Sequence, residues 1–264
     1  MSQPSSRIVA CAIALAIVAA TSTGARATTD IGKATAITTS VTGTLDQQSI
    51  VLKTGDEIFA NQTMSTDDTG VGQFEFRDKT KLAIGPGSTV VLDNFVYNPN
   101  TSGSKVVINL ARGSFRFITG RARHDAYEIT TPSATIGVRG TAFDVYVGTS
   151  GELAVAMING AVEVCPLRGA CRLHDVVGRF LHMSVDGIFS LHDTWDGTFF
   201  KGIALTTALP FIANQRLLVP ALRGQTKIVT RYLGGAATTA TKTMKSLAPP
   251  KLKLPKLKLP KLFR

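Results

Sequence analysis

Residues 131–145 read Thr131-Pro132-Ser133-Ala134-Thr135-Ile136-Gly137-Val138-Arg139-Gly140-Thr141-Ala142-Phe143-Asp144-Val145. Two glycines flank an arginine and a hydroxyl residue comes next, so the stretch poses a choice between an anion-cradling loop and a bend between strands. A phosphate loop needs successive backbone N–H groups aimed inward, with a helix N-terminus behind them. Beyond Gly140 the chain reads Thr-Ala-Phe-Asp-Val-Tyr-Val, a strand pattern, and the helix dipole is missing. Gly137 and Gly140 therefore read as a framework turn, a tight bend or bulge where a Cβ would clash. Arg139 is then exposed or paired with Asp144 or Glu163, and it stays a candidate partner contact.

The surroundings repeat the strand signal. From Ala36 to Leu191 short alternating segments succeed one another, among them QFEFR, STVVLDNF, KVVINLARGSFRFIT, ELAVAMI and AVEVC, rich in Val, Ile, Phe and Thr. Turn signals such as Thr54-Gly55-Asp56, Gly85-Pro86-Gly87 and Asp186-Gly187 separate them. The fold class is all-β, with many short strands in an irregular β-solenoid or a sandwich-like body; periodicity does not separate the two. Asn159-Gly160 carries the strongest hairpin signal, since both residues tolerate positive φ. No βαβ rhythm appears, so a nucleotide-binding α/β sheet is not expected.

Both ends of the chain differ from this body. Arg7, an apolar run from Ile8 to Ala20 and Ala25-Arg26-Ala27 have the three parts of a secretory signal peptide, assigned to 1–27. The β domain is assigned to 28–194. After Trp195 the leucines cluster at helical spacing, broken by Pro210 and Pro220, which predicts a partly helical cap over 195–233. Residues 234–264 form a small, polar linker and then a Pro-Lys-Leu repeat containing Lys251, Lys253, Lys256, Lys258 and Lys261. In extended geometry such a repeat sets lysines against leucines, a candidate surface tether for an anionic membrane. The expected location is periplasmic or otherwise secreted, after cleavage of the signal.

Charge narrows the function classes. The whole chain is +11. The segment from Lys245 to Arg264 holds seven basic residues and no acid, so the β body is nearly neutral. Nucleic-acid binding by that body is not supported. Outside the leader, Cys165 and Cys171 bracket a short turn-forming loop and read as a local disulfide in an oxidising compartment. The rival is a metal site with His174, which lacks the regular spacing of zinc motifs. His124, His174, His182 and His192 have no nucleophile at a recognisable spacing, and no G-x-S-x-G, H-E-x-x-H or Walker motif occurs. Asp67-Asp68-Thr-Gly is ordinary turn chemistry rather than a calcium loop. No enzyme activity and no cofactor is expected.

The segment Ser133–Val145, preceded by Thr131-Pro132, resembles the signature of the FecR-type domain, the periplasmic sensor portion of ferric-citrate regulator proteins. Supporting pieces occur in order: Leu52–Ile58, Phe74–Asp78, Leu82–Ser88, Leu110–Phe115 and Asn159–Val164. The likeness covers roughly residues 45–165. It implies an all-β extracytoplasmic domain that works by contacting other proteins and relays a transporter's state to a sigma factor. This chain shows no cytoplasmic anti-sigma segment or internal transmembrane helix, so the domain carries over rather than the circuit. The expected function is non-catalytic recognition of an envelope protein or glycan, with a link to signalling. One alternative is a structural envelope protein held by its tail. Another is a solenoid carbohydrate-active enzyme, which requires convergence of carboxylates such as Asp144, Glu163 and Asp125.

Overall fold

A computed structural model describes residues 29–96, 105–195, 199–200, 202–224 and 228–233. Its alternating segments form fifteen strands. They are β1 (Asp30–Thr38), β2 (Val41–Leu45), β3 (Gln48–Val51), β4 (Glu57–Phe59), β5 (Thr63–Thr66), β6 (Val71–Phe76), β7 (Lys81–Ile84), β8 (Thr89–Val96), β9 (Lys105–Ile118), β10 (Tyr127–Thr130), β11 (Ala134–Val147), β12 (Leu153–Pro166), β13 (Arg172–His174), β14 (Phe180–Met183) and β15 (Phe189–His192). All belong to one hydrogen-bonded sheet.

Three long strands fold this sheet into two leaves. The first leaf runs β3-β2-β5-β8-β9-β10-β11-β12-β13 and uses the N-terminal halves of β9 and β11 with the C-terminal half of β12. The second runs β4-β1-β6-β7-β9-β11-β12-β14-β15 and uses the other halves. Only β9 with β10 is a parallel pair among the described strands. Stacked solenoid coils would pair in parallel, so the antiparallel pattern resolves the architecture as a sandwich-like body.

The passage between leaves is visible in the side-chain phase. In β11 the core residues are Ala134, Ile136 and Val138 before the corner, then Phe143, Val145 and Val147 after it. Strand alternation has a period of two, so a switch from even to odd positions needs an inserted residue. β12 switches between Met157 and Val162, and β9 between Leu110 and Phe115. A glycine with positive φ marks each switch: Gly113 (103°), Gly140 (62°) and Gly160 (79°). The bulges let each strand turn its corner and keep facing one apolar core. That core is continuous, with Val41, Met64 and Val90 of the first leaf in the same cluster as Phe74, Phe117 and Phe143 of the second.

Two sequence expectations are corrected here. Asn159-Gly160 is no hairpin: β12 continues through it, and Asn159 pairs with Ala142 across the corner. Gly137 and Gly140 likewise lie inside one continuous strand rather than in a turn between two. Gly140 sits at the bulge, whereas Gly137 is an ordinary ladder position opposite Glu163 and Glu128. A two-residue hairpin does occur at Asp46-Gln47, where both residues have positive φ and Leu45 pairs with Gln48.

A cap covers the outer face of the second leaf. It consists of α1 (Leu205–Ala208), α2 (Pro210–Ala213), two 3-10 turns at Gln215–Leu217 and Pro220–Leu222, and a helical piece at 228–233. Pro210 opens α2 and Pro220 opens a 3-10 turn, positions where the missing N–H costs nothing. Leu209, Ile212 and Tyr232 pack on Ala156, Ile158 and Phe180, and Phe211 and Leu222 pack on Val71 and Ala83. No helix among the described residues is long and apolar enough to cross a membrane. The leader 1–27 and the lysines of the tail repeat lie outside the described residues.

Candidate functional site

The TPS end of the opening stretch forms one lip of a groove at the end of the sandwich. Cys165 and Cys171 are disulfide-bonded and close the loop that leaves β12. The Leu167 N–H donates to the Ser133 carbonyl at 3.0 Å, tying this loop to the turn before β11. Ser133 Oγ donates in turn to the Gly151 carbonyl. On the far side, Gly187 lets the 184–188 turn approach the loop, since a Cβ there would lie 3.1 Å from Pro166 Cβ. The groove between them has a volume of about 510 Å³ and is lined by Pro132, Gly151, Pro166, Leu167, Arg168 and Val185.

Exposed aliphatic side chains are frequent in the segment that supplies part of its lining. Of the seven large hydrophobic residues most exposed among those described, Leu167, Leu173, Val176, Val185 and Ile188 lie between positions 167 and 188. Leu167 is 74% and Ile188 68% exposed. Of these side chains, Leu167 and Val185 belong to the lining of the groove itself. Arg168 and Asp186 put one charge of each sign on its lips.

The candidate catalytic carboxylates do not converge. Asp144 is fully buried on the second leaf, where Arg116 Nε and Nη2 donate to its two oxygens at 2.5 and 2.8 Å. Burial raises the Asp144 carboxyl above its ordinary range, and the adjacent guanidinium opposes that shift. Glu163 lies beyond the corner on the first leaf, opposite Gly137 and Leu173. Asp125 is exposed and accepts from Arg123 at 3.1 Å. Arg139 is exposed beside the corner, and one of the two partners suggested for it, Asp144, is taken by Arg116. Sequence reading missed Arg116, although its place between Phe115 and Phe117 marks it as the outward residue of a strand buried on both faces.

His174, His182 and His192 are engaged within the fold. His174 is 2% exposed, and burial pushes its pKa down to about 4. His182 Nδ1 and His192 Nε2 both contact Ser190 Oγ, at 3.2 and 2.8 Å. Burial, then the neighbouring His192, lowers the His182 pKa. The sulfurs offered to a zinc site with His174 are consumed in the disulfide. Among the described residues no group of three or more His, Cys, Asp or Glu is arranged to hold a metal ion.

Comparison with curated proteins returned no match. Two crystal structures described as a candidate anti-sigma factor from Parabacteroides distasonis ATCC 8503 are similar at 16% identity and a TM-score of 0.40. The likeness covers 49% of this chain and 58% of theirs, so the chain spans less than two thirds of their length. A family match falls on the stretch that holds all three bulged corners and the centre of both leaves: residues 62–163 match the model of the FecR protein family.

Proposed function

We propose that this protein is a non-catalytic module of the cell envelope that recognises a protein partner through the groove beside the disulfide loop, as part of a signalling pathway. The FecR match supports a regulatory role. The observation that carries the reading is the exposure of Leu167 and Val185 on the lining of one groove, with exposed Ile188 next in the chain to its Gly187. Aliphatic lips suit a protein surface; a glycan site would instead present aromatic faces and convergent polar groups. Export fits the same reading, because a disulfide persists in an oxidising compartment and residues 1–27 have the composition of a secretory leader.

A photo-crosslinking residue at position 167 of the exported protein tests this. The expected result is a discrete protein adduct that disappears with Ile188→Asp and persists with Arg139→Ala. Adducts to cell-wall material alone, or an adduct indifferent to Ile188→Asp, would overturn the reading. The Lys-Leu repeat supports a second element, attachment to an anionic membrane surface. Sedimentation with anionic liposomes is then expected for the full chain and lost when residues 245–264 are deleted.

A further inference from the structure

The cap is held on the second leaf in an unusual manner for a core layer: side chains of the sheet bind main-chain groups of the cap. Gln73 Nε2 donates to the Leu217 carbonyl at 3.0 Å, and its Oε1 accepts from the Val219 N–H at 2.7 Å. One side-chain amide thus reads the extended main chain on both sides of Leu218. Ser114 Oγ contacts the carbonyls of Thr207 and Ala208 at 3.0 and 2.8 Å. Arg116 Nη1 donates to the Leu222 carbonyl at 3.1 Å and to Gln215 Oε1 at 3.2 Å, while Asp144 holds the rest of the guanidinium. Gln73, Ser114, Arg116 and Asp144 are each at most 2% exposed.

The bound segment behaves as a peptide would. Its helices are four residues long and its 3-10 turns three, too short to persist without the sheet. Pro210 and Pro220 punctuate it, and the stretch from 205 to 222 contains no acid. Its energy comes from a few anchors, Leu209, Phe211, Ile212, Leu218 and Leu222, which are buried against the leaf. Phe211 lies beneath the Arg116 guanidinium, 5.9 Å from its ring centroid. Main-chain reading with a handful of apolar anchors is how folded domains bind linear segments. The cap also lies wholly beyond residue 163, where the family match ends.

We propose that the outer face of the second leaf, marked by Gln73, Ser114 and Arg116, is a peptide-binding groove. Its ligand in this structure is the chain's own 205–222 segment, bound in cis, and the same groove takes this segment from a second copy of the chain. This surface is separate from the groove beside the disulfide loop, so either assignment stands or falls without the other.

The test nicks the folded full chain rather than truncating it. Gly202 is exposed, with nothing within 4 Å of a Cβ built on it, so a protease site inserted there disturbs no packing. After cleavage, a fluorescent synthetic peptide of residues 203–233 is added. The expected result is saturable exchange with the resident cap, and a body whose near-ultraviolet circular dichroism is unchanged while the groove is occupied. Gln73→Leu leaves the Leu217 carbonyl and Val219 N–H without their partner and is expected to weaken peptide binding about tenfold, with Ser114→Ala as an independent second variant. Absence of exchange, exchange insensitive to both variants, or unfolding of the body on loss of the cap would overturn the proposal. In each of those cases residues 203–233 are a third core layer.

Discussion

At the scale of single residues, the glycines of the corner have different physical duties. Gly160 has a φ of 79°, and a Cβ on it would lie 2.5 Å from the Gly140 carbonyl oxygen, a backbone atom that cannot move aside. Gly160→Ala is expected to destabilise the protein by about 2–3 kcal/mol, read as a fall in the urea midpoint. Gly137 has no such constraint, since the nearest atom to its hypothetical Cβ is 3.8 Å away. Gly137→Ala is expected to raise stability by about 0.5 kcal/mol through the lost flexibility of the unfolded chain. The sequence marked Gly137 and Gly140 alike as framework positions, because two glycines three residues apart look the same until φ and the facing strand are known.

At the scale of elements, the disulfide loop and the cap show opposite degrees of legibility. The spacing of Cys165 and Cys171 and the turn-forming residues between them were enough to pair them. The consequence of that pairing was not legible, because the groove also needs the 131–133 and 184–188 turns, which are distant in sequence. Reduction of the disulfide is expected to cost about 2 kcal/mol, the loop-closure entropy of so short a ring. Hydrogen exchange at the Leu167 amide, which donates to Ser133, should speed up on reduction while exchange in β9 and β11 stays slow. For the cap, α1 ends at Ala208, and Pro210 and Pro220 each open a new helical turn. Only the docked structure shows that its polar main-chain groups find partners in Gln73, Ser114 and Arg116.

At the scale of the molecule, pH dependence arises from groups buried neutral. His174 has its pKa lowered to about 4, and His182 is lowered as well, both chiefly by burial. Their unfolded forms take up protons near the ordinary value of 6.5 while the folded forms resist. The stability they contribute is therefore complete above about pH 6.5 and is lost as pH falls toward 4. Asp144 works the other way, because burial raises its pKa and a falling pH favours its folded form. Glu75, held below its ordinary range by Lys79, adds a loss at still lower pH. The groups facing His182 are His192 and Glu152, and those facing His174 are Asp175, Arg172 and Arg179. The melting temperature is expected to fall between pH 7 and pH 4.5, and to fall less in His174→Leu, as followed by circular dichroism.

The sequence by itself determined the class of structure. Period-two alternation and turn chemistry are local, so the all-β body, the disulfide and the family resemblance around Thr131–Val145 could all be read from neighbouring residues. It also made Asn159-Gly160 look like a hairpin, because the local preference for positive φ is the same in a two-residue turn and in a bulge. Only tertiary structure decided between them. Gly113, Gly140 and Gly160 lie on three strands that run side by side, and their shared phase shift bends one sheet into two leaves around one core. The same long-range pairing turned Arg116 and Asp144 into a buried pair and brought the cap over them. Such contacts join residues about 30 to 150 positions apart, a distance at which no sequence pattern constrains what meets what.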